Sequence, residues 1–244
     1  MSELPLLGKT ILVTGAARRI GRALAMACAR SGADTIIHYN ESEREAAAAK
    51  KEVESLGRRA WLIQADLSKP ASVENLISQM MGIGTIYGLV NSAAIFEPLT
   101  LQTASRADWE RHLAINLTAP FLLSQAFAKQ NPENSSGRIV NILDWRAMRP
   151  GADHFPYSVS KAALAAMTKS LAATLAPNIT VNGLALGAVL PPVDQPASDD
   201  ILANVPAKRW SELSEVEEAL VFLLTGPSYI TGEIIHLDGG RHLV

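Results

Sequence analysis

The sequence has a single cysteine, Cys28, so no disulfide can form within the chain. The fold must then be held by its core alone, and a reducing compartment fits. Charge of one sign is also missing. Twenty-two basic residues stand against 24 acidic ones, for a formal charge of −2, with no basic block able to track a phosphate backbone. Nucleic acid is therefore not an expected partner. No apolar run approaches the length of a membrane span, and the start MSELPLLGKTILVTG has no charged leader. A soluble, cytoplasmic protein with no membrane partner is expected. Repeats and low-complexity tracts are absent.

What is abundant is apolar side chain, 48% of 244 residues, enough for one large core and short for two ordinary domains. KTILVTG, ADTIIHY, RAWLIQAD, IYGLVN, GRIVNILD, ITVNGLA and EIIHLDG read as strands. Most are separated by segments of helical periodicity, beginning near Arg19, Glu41, Pro70, Ala107, Pro156 and Ser214. The alternation predicts a single α/β domain over 1–244, with a Rossmann-type, doubly wound parallel sheet of about seven strands and helices on both faces. The one long irregular stretch, 187–210, is read as a loop covering a substrate.

ILVTGAARRIG runs from a buried strand into a helix. Gly15 can make the tight turn and Gly21 can let the helix pack close, so the free N–H groups of the helix start face an anion. The spacing departs from GxGxxG, and two glycines alone also suit an ordinary turn. Other strand ends agree with a nucleotide site: Asp66 in LIQADLS can reach an adenine edge, and Asn91 and Ala93 close the fourth strand. An NAD site has an acid at the end of its second strand; here IIHYNES puts His38, Tyr39 and Asn40 there. With Arg18 and Arg19 in the nearby loop, the pattern favours NADPH, because a guanidinium can hold a phosphate bidentately. Arg19 is the expected contact; Arg18 is either a second one or a solvated charge.

The stretch ILDWRAMRPGADHFPYSVSKAAL sets Asp144 thirteen residues ahead of Tyr157, with Lys161 four further on. Residues four apart share a helix face, and Pro156 suits a first helical turn. An ammonium beside a phenol favours phenolate, moving Tyr157 toward a pKa useful near neutrality, and the same ammonium could hold a cofactor ribose.

Taken together, TGAARRIG, QADLS, NSAA, the INL that contains Asn116, YSVSK and ITGEIIHLDGG resemble the short-chain dehydrogenase/reductase family over nearly the whole chain. The resemblance implies hydride transfer between NADP(H) and a small-molecule substrate, with Tyr157 as acid/base, Lys161 tuning it and Asn116 holding a water in a proton relay. It implies a cofactor site drawn from Gly15, Arg18, Arg19, Ile20, His38, Tyr39, Asn40, Ser42, Asp66, Leu67, Asn91, Ser92, Ala93, Tyr157, Lys161 and Gly187, with no metal. A homotetramer is the family expectation.

Departures from the family pattern narrow the resemblance. Arg19 stands at the middle glycine of the loop, Ser92 and Ala94 replace residues of an NNAG, Leu186 replaces the proline of a PG turn, and Asp144 replaces a serine. In these the chain is similar to the pteridine and dihydromonapterin reductases, whose tail GGRHLV also resembles. Phe96 then matches the aromatic that stacks a pterin against the nicotinamide; alternatively it is a core ring under a loop. A serine hydroxyl donates to a ketone oxygen, which a carboxylate cannot do. Asp144 can instead accept N–H bonds from a pterin-like ring or exchange a proton with Tyr157, or it can merely brace the Tyr157 loop. The leading expectation is an NADPH-dependent reductase of a dihydropterin C=N bond. The runner-up is a carbonyl reductase of 3-oxoacyl thioesters or small ketones. A cofactor-binding regulator without turnover comes third, and the intact Asn116, Tyr157 and Lys161 argue against it.

Overall fold

The computed structural model describes residues 4–131, 135–191 and 199–244, and the seven apolar runs form the strands of one parallel sheet. They are β1 (Thr10–Val13), β2 (Asp34–Tyr39), β3 (Ala60–Gln64), β4 (Gly88–Asn91), β5 (Gly137–Asp144), β6 (Ile179–Leu186) and β7 (Ile234–Leu237), in spatial order β3-β2-β1-β4-β5-β6-β7. The helices are α1 (Arg19–Arg30), α2 (Glu43–Ser55), α3 (Pro70–Ile83), α4 (Arg106–Leu113), α5 (Ala119–Gln130), α6 (Phe155–Leu175) and α7 (Leu213–Thr225).

Successive strand residues point to opposite faces, and here both faces are covered. Ile11, Val13 and Ile37 join the cluster under α1, α2 and α7. Leu12 and Ile36 join the one under α3, α5 and α6. The chain order reverses between β1 and β4, and a sheet that switches direction opens a crevice at its strand carboxyl ends. Thr14 spans that switch, its Oγ1 accepting from the amides of Ser92 and Ala93, each at 3.0 Å. No helix among the described residues is long and apolar enough to cross a membrane.

One helix has a feature that the sequence reading did not show. The segment expected from Ala107 continues to Gln130, because α4 and α5 are joined by a π-type widening at Ala114–Thr118 that keeps helical backbone angles on either side. Such a widening inserts a residue without ending the helix, and it is common at functional sites. Its buried residue is Asn116. Of the expected covering loop, 187–191 and 199–210 are described; 192–198 lie outside the described residues.

Candidate active site at the carboxyl edge of the sheet

The loop between β1 and α1 has the shape a phosphate cradle requires. Gly15 has φ +65°, and a Cβ there would lie 2.9 Å from the Cα of Ala93; one on Gly21 would lie 2.1 Å from the Gly15 carbonyl oxygen. Neither position accepts a side chain. The N-terminus of α1 has no side-chain cap and no acid in its first turn, which leaves its free N–H groups for an anion. These features fit a dinucleotide phosphate.

Two side chains do not point where the sequence suggested. Arg19, at φ +52°, sends its guanidinium to the Pro191 carbonyl at 2.6 Å, on the β6 side of the sheet. The end of β2, where a ribose phosphate would sit, is on the other side of β1. Arg18 lies four residues before Arg22, and Arg22 pairs with Glu52 of α2. Arg18 itself is exposed and caps α1 with extended backbone, φ −140° and ψ 164°. Arg19 is thus engaged by Pro191, while Arg18 makes no such side-chain contact among the described residues.

His38 is the second such side chain. It is buried, its Nδ1 accepts from the Gly15 amide at 3.1 Å, and its Nε2 lies 3.1 Å from the Ala65 carbonyl. Nδ1 accepts, so Nε2 carries the proton and donates. Burial holds the ring's pKa down at about 4, so it stays neutral. With both nitrogens engaged by backbone, His38 has nothing left for a cofactor; it bolts the loop to β2 and β3.

Nearby, Tyr39 and Leu67 have core side chains and can offer only backbone to the cleft, while Ile20 packs partly on the core. Asn40 is exposed and Ser42, which heads α2, makes no side-chain cap, so both remain available. Asp66 turns back on its own loop: one oxygen accepts from the Ser68 hydroxyl and amide, and the other lies 3.2 Å from Lys69. The Ser68 hydroxyl is the main reason its carboxyl sits below the usual range. Asn91 donates to Asn141 at 2.8 Å and is buried, so its side chain ties β4 to β5. Gly187 passes Asp238 so closely that a Cβ would meet its Cα at 2.6 Å.

Tyr157, Asp144 and Lys161 do converge. The Tyr157 hydroxyl donates to Asp144 Oδ2 at 3.0 Å, while Asp144 Oδ1 accepts from the Arg146 amide at 2.8 Å. Bracing and proton exchange, alternatives in the sequence, fall on different oxygens of one carboxylate. The expected lowering of the phenol does not occur. Burial first, and then the Asp144 charge and hydrogen bond, push Tyr157 well above the usual value. Lys161 donates to the Ile142 carbonyl at 2.7 Å, and its Nζ is 5.8 Å from the centre of the Tyr157 ring. Burial brings the amine down to about 8.

Asn116 has both amide protons engaged, donating to the Ile95 carbonyl at 3.1 Å and to Ser160 Oγ at 3.0 Å, while its oxygen accepts from the Ile95 amide. Phe96 is 45% exposed, which rules out the core reading. It stacks on His154 with centroids 3.9 Å apart and meets Tyr157 edge-on at 4.7 Å. His154, Asp153 and Arg146, none singled out in the sequence, complete this wall: Asp153 lies 2.9 Å from Arg146 and 3.0 Å from His154. The left-handed backbone of His154, φ +51°, was the one trait that could mark it, and it is invisible before folding.

A family model described as enoyl-(acyl carrier protein) reductase matches residues 15–242. A 3-oxoacyl-[acyl-carrier-protein] reductase of Aquifex aeolicus is 35% identical, over 98% of this chain and 99% of its own. The corresponding Synechocystis protein is 33% identical, over 96% and 97%. Among solved structures, an alternative dihydrofolate reductase 1, FolM, from Brucella canis with NADP matches at TM-score 0.92 and 36% identity, covering 99% of this chain and 96% of that one.

Proposed function

Because the chain belongs to the short-chain dehydrogenase/reductase family, we propose that it is an NADPH-dependent reductase of a pteridine-like C=N bond. The observation that carries this reading is Asp144 with the Tyr157 hydroxyl on its Oδ2 at 3.0 Å. A carboxylate there cannot donate to a ketone oxygen, yet it can accept from the N–H groups of a nitrogen heterocycle. The FolM neighbour, crystallised with NADP, supports both the cofactor and the substrate class.

NADPH, when bound, supplies the hydride. Gly15, the N-terminus of α1, Ser92 and Ala93 would hold its phosphates and a ribose, with Lys161 and Gly187 as further contacts. Tyr157 holds a phenolic proton for the substrate nitrogen, which must gain one as the adjacent carbon takes the hydride. Asp144 positions that phenol and accepts from the ring. Phe96, exposed beside Tyr157, offers a face on which a flat ring can stack. A homotetramer belongs to the same reading, and solution sizing tests it. A mixed screen of NADPH oxidation, with dihydropteridines against 3-oxoacyl thioesters, tests the substrate. The second class is favoured by the two curated relatives above, so turnover of thioesters alone replaces the reading.

Cofactor choice follows from Arg18. Glu43 and Glu45 lie in the first turn of α2 and repel a phosphate at the end of β2, so a cation is needed to offset them. The protein should bind NADPH more tightly than NADH. Arg18→Ala should cut that preference about ten- to a hundredfold, the worth of one charge-assisted contact. Arg19→Ala should leave the preference intact and raise the substrate KM. Titrating both cofactors into each variant checks this, and loss of preference in Arg19→Ala would return the phosphate contact to Arg19.

A further inference from the structure

The tail after β7 brings a cation into the substrate region that nothing above employs. Arg241 lays its guanidinium over the Trp145 ring, 4.3 Å from the centroid. Trp145 directly follows Asp144, so its Cα is one peptide, about 3.8 Å, from that of the carboxylate beside Tyr157. Arg146 approaches the same indole at 4.8 Å. The only hydrogen bond from the Arg241 side chain among the described residues is a long one, 3.4 Å, to the Ile201 carbonyl. A guanidinium has five donors, so most of this fork has no protein partner there.

The carboxylates around it are all engaged elsewhere. Asp144 takes the Tyr157 hydroxyl and the Arg146 amide. Asp153 takes Arg146 and His154. Asp238 takes the amides of Gly240 and His242 and the His242 ring. None comes within ion-pair distance of Arg241 among the described residues. Arg146, by contrast, has Asp153 at 2.9 Å. Burial, and then the neighbouring Arg146 charge, press the Arg241 pKa downward against the opposing pull of Asp144, Asp153 and Asp238.

We infer that Arg241, held over Trp145, binds an anionic group, carboxylate or phosphate, at the end of the substrate remote from the reduced bond. The inference rests on the proposed function only in placing the reacting ring beside Tyr157 and Asp144. A planar fork braced on an aromatic face matches the two oxygens of either anion. One ligand chemistry then has two sources: the carboxylates of a benzoylglutamate arm on a pteridine, or the phosphate of a phosphopantetheine thioester.

Arg241→Met, which keeps a long stem on the indole, and Arg241→Lys test it. Each is assayed with two matched pairs: a dihydropteridine with a benzoylglutamate arm against one with a neutral hydroxyalkyl arm, and 3-oxoacyl pantetheine with and without its 4′-phosphate. The expected result with Arg241→Met is a rise in KM of about ten- to a hundredfold for the charged member of the accepted pair, the neutral member staying within about twofold. Arg241→Lys should recover part of the loss. Dissociation constants for both pairs on the NADP⁺-loaded protein give the same comparison without turnover. If no pteridine is reduced or bound, the substrate reading fails while the thioester pair still reports on Arg241. Parallel loss on both members, with a lowered melting midpoint, makes Arg241 a brace for Trp145 and overturns the inference. So does an unchanged KM, or equal affinity of the unmutated protein for charged and neutral members.

Discussion

Tyr157→Phe is expected to lower kcat for pteridine reduction by about a hundred- to ten-thousandfold while NADPH still binds. Only the hydroxyl is removed, and it donates to Asp144 Oδ2 at 3.0 Å. The ring that remains keeps its edge contact with Phe96, and the bond from Lys161 to Ile142 does not involve Tyr157. The loss should therefore fall on proton transfer, not on folding or cofactor affinity. Steady-state NADPH oxidation beside a cofactor titration measures both, and an active variant would move the proton source to another group. The alkaline limb of the pH profile carries a second signature. Burial and Asp144 hold the phenol protonated beyond its usual range, so the proton donor is retained as pH rises. The buried Lys161 amine, down at about 8, loses its charge first. If its cation holds the ribose, kcat/KM should fall as pH passes about 8, well before an ordinary lysine titrates near 10.4.

The strands were legible because each is a short β-branched or apolar run, and their length and alternation with helical segments decide against a buried helix. The junction at Ala114–Thr118 was not. A π-type widening has no cap and no breaker, so nothing in AINLT marks the point where one helix passes into the next. Yet this is the place that buries Asn116 and directs its amide to Ile95 and Ser160.

Position proved easier to read than direction. The sequence located His38 at the corner of a nucleotide site, but whether an imidazole faces the cleft or the loop behind it depends on which backbone groups lie opposite; here Gly15 and Ala65 take both nitrogens. Arg19 is the same case, since its left-handed backbone turns the side chain toward Pro191. The spacing of Tyr157 and Lys161 correctly implied a shared helix face. It could not show that a carbonyl of β5 would hold the amine, or that Asp144 would reach the phenol first. Arg241 was silent because its neighbour on the indole is 96 positions away, and only the return of the tail across the end of β5 brings them together.

Asp144→Asn and Asp144→Ser should separate the two duties of this carboxylate. Oδ1 caps the short turn Trp145–Ala147 through the Arg146 amide at 2.8 Å, and Oδ2 receives the Tyr157 hydroxyl at 3.0 Å. Asparagine keeps an oxygen for the cap, and serine is itself a good cap, so either variant should melt close to the parent. What both lose is the anionic acceptor for ring N–H groups. Losing a charged hydrogen bond in a half-buried site should reduce kcat/KM for a dihydropteridine about ten- to a hundredfold. Serine also restores a neutral donor to a carbonyl oxygen, so a small ketone should suffer less from Asp144→Ser than the pteridine does. Removing the carboxylate takes away two of the causes that raise the Tyr157 pKa, leaving burial, so the phenol should titrate lower in Asp144→Asn. Measuring kcat/KM on both substrate classes, with a melting curve and a pH profile for each protein, decides the matter. Equal losses on both classes with a depressed midpoint would leave Asp144 as a brace and remove the observation on which the pteridine reading stands.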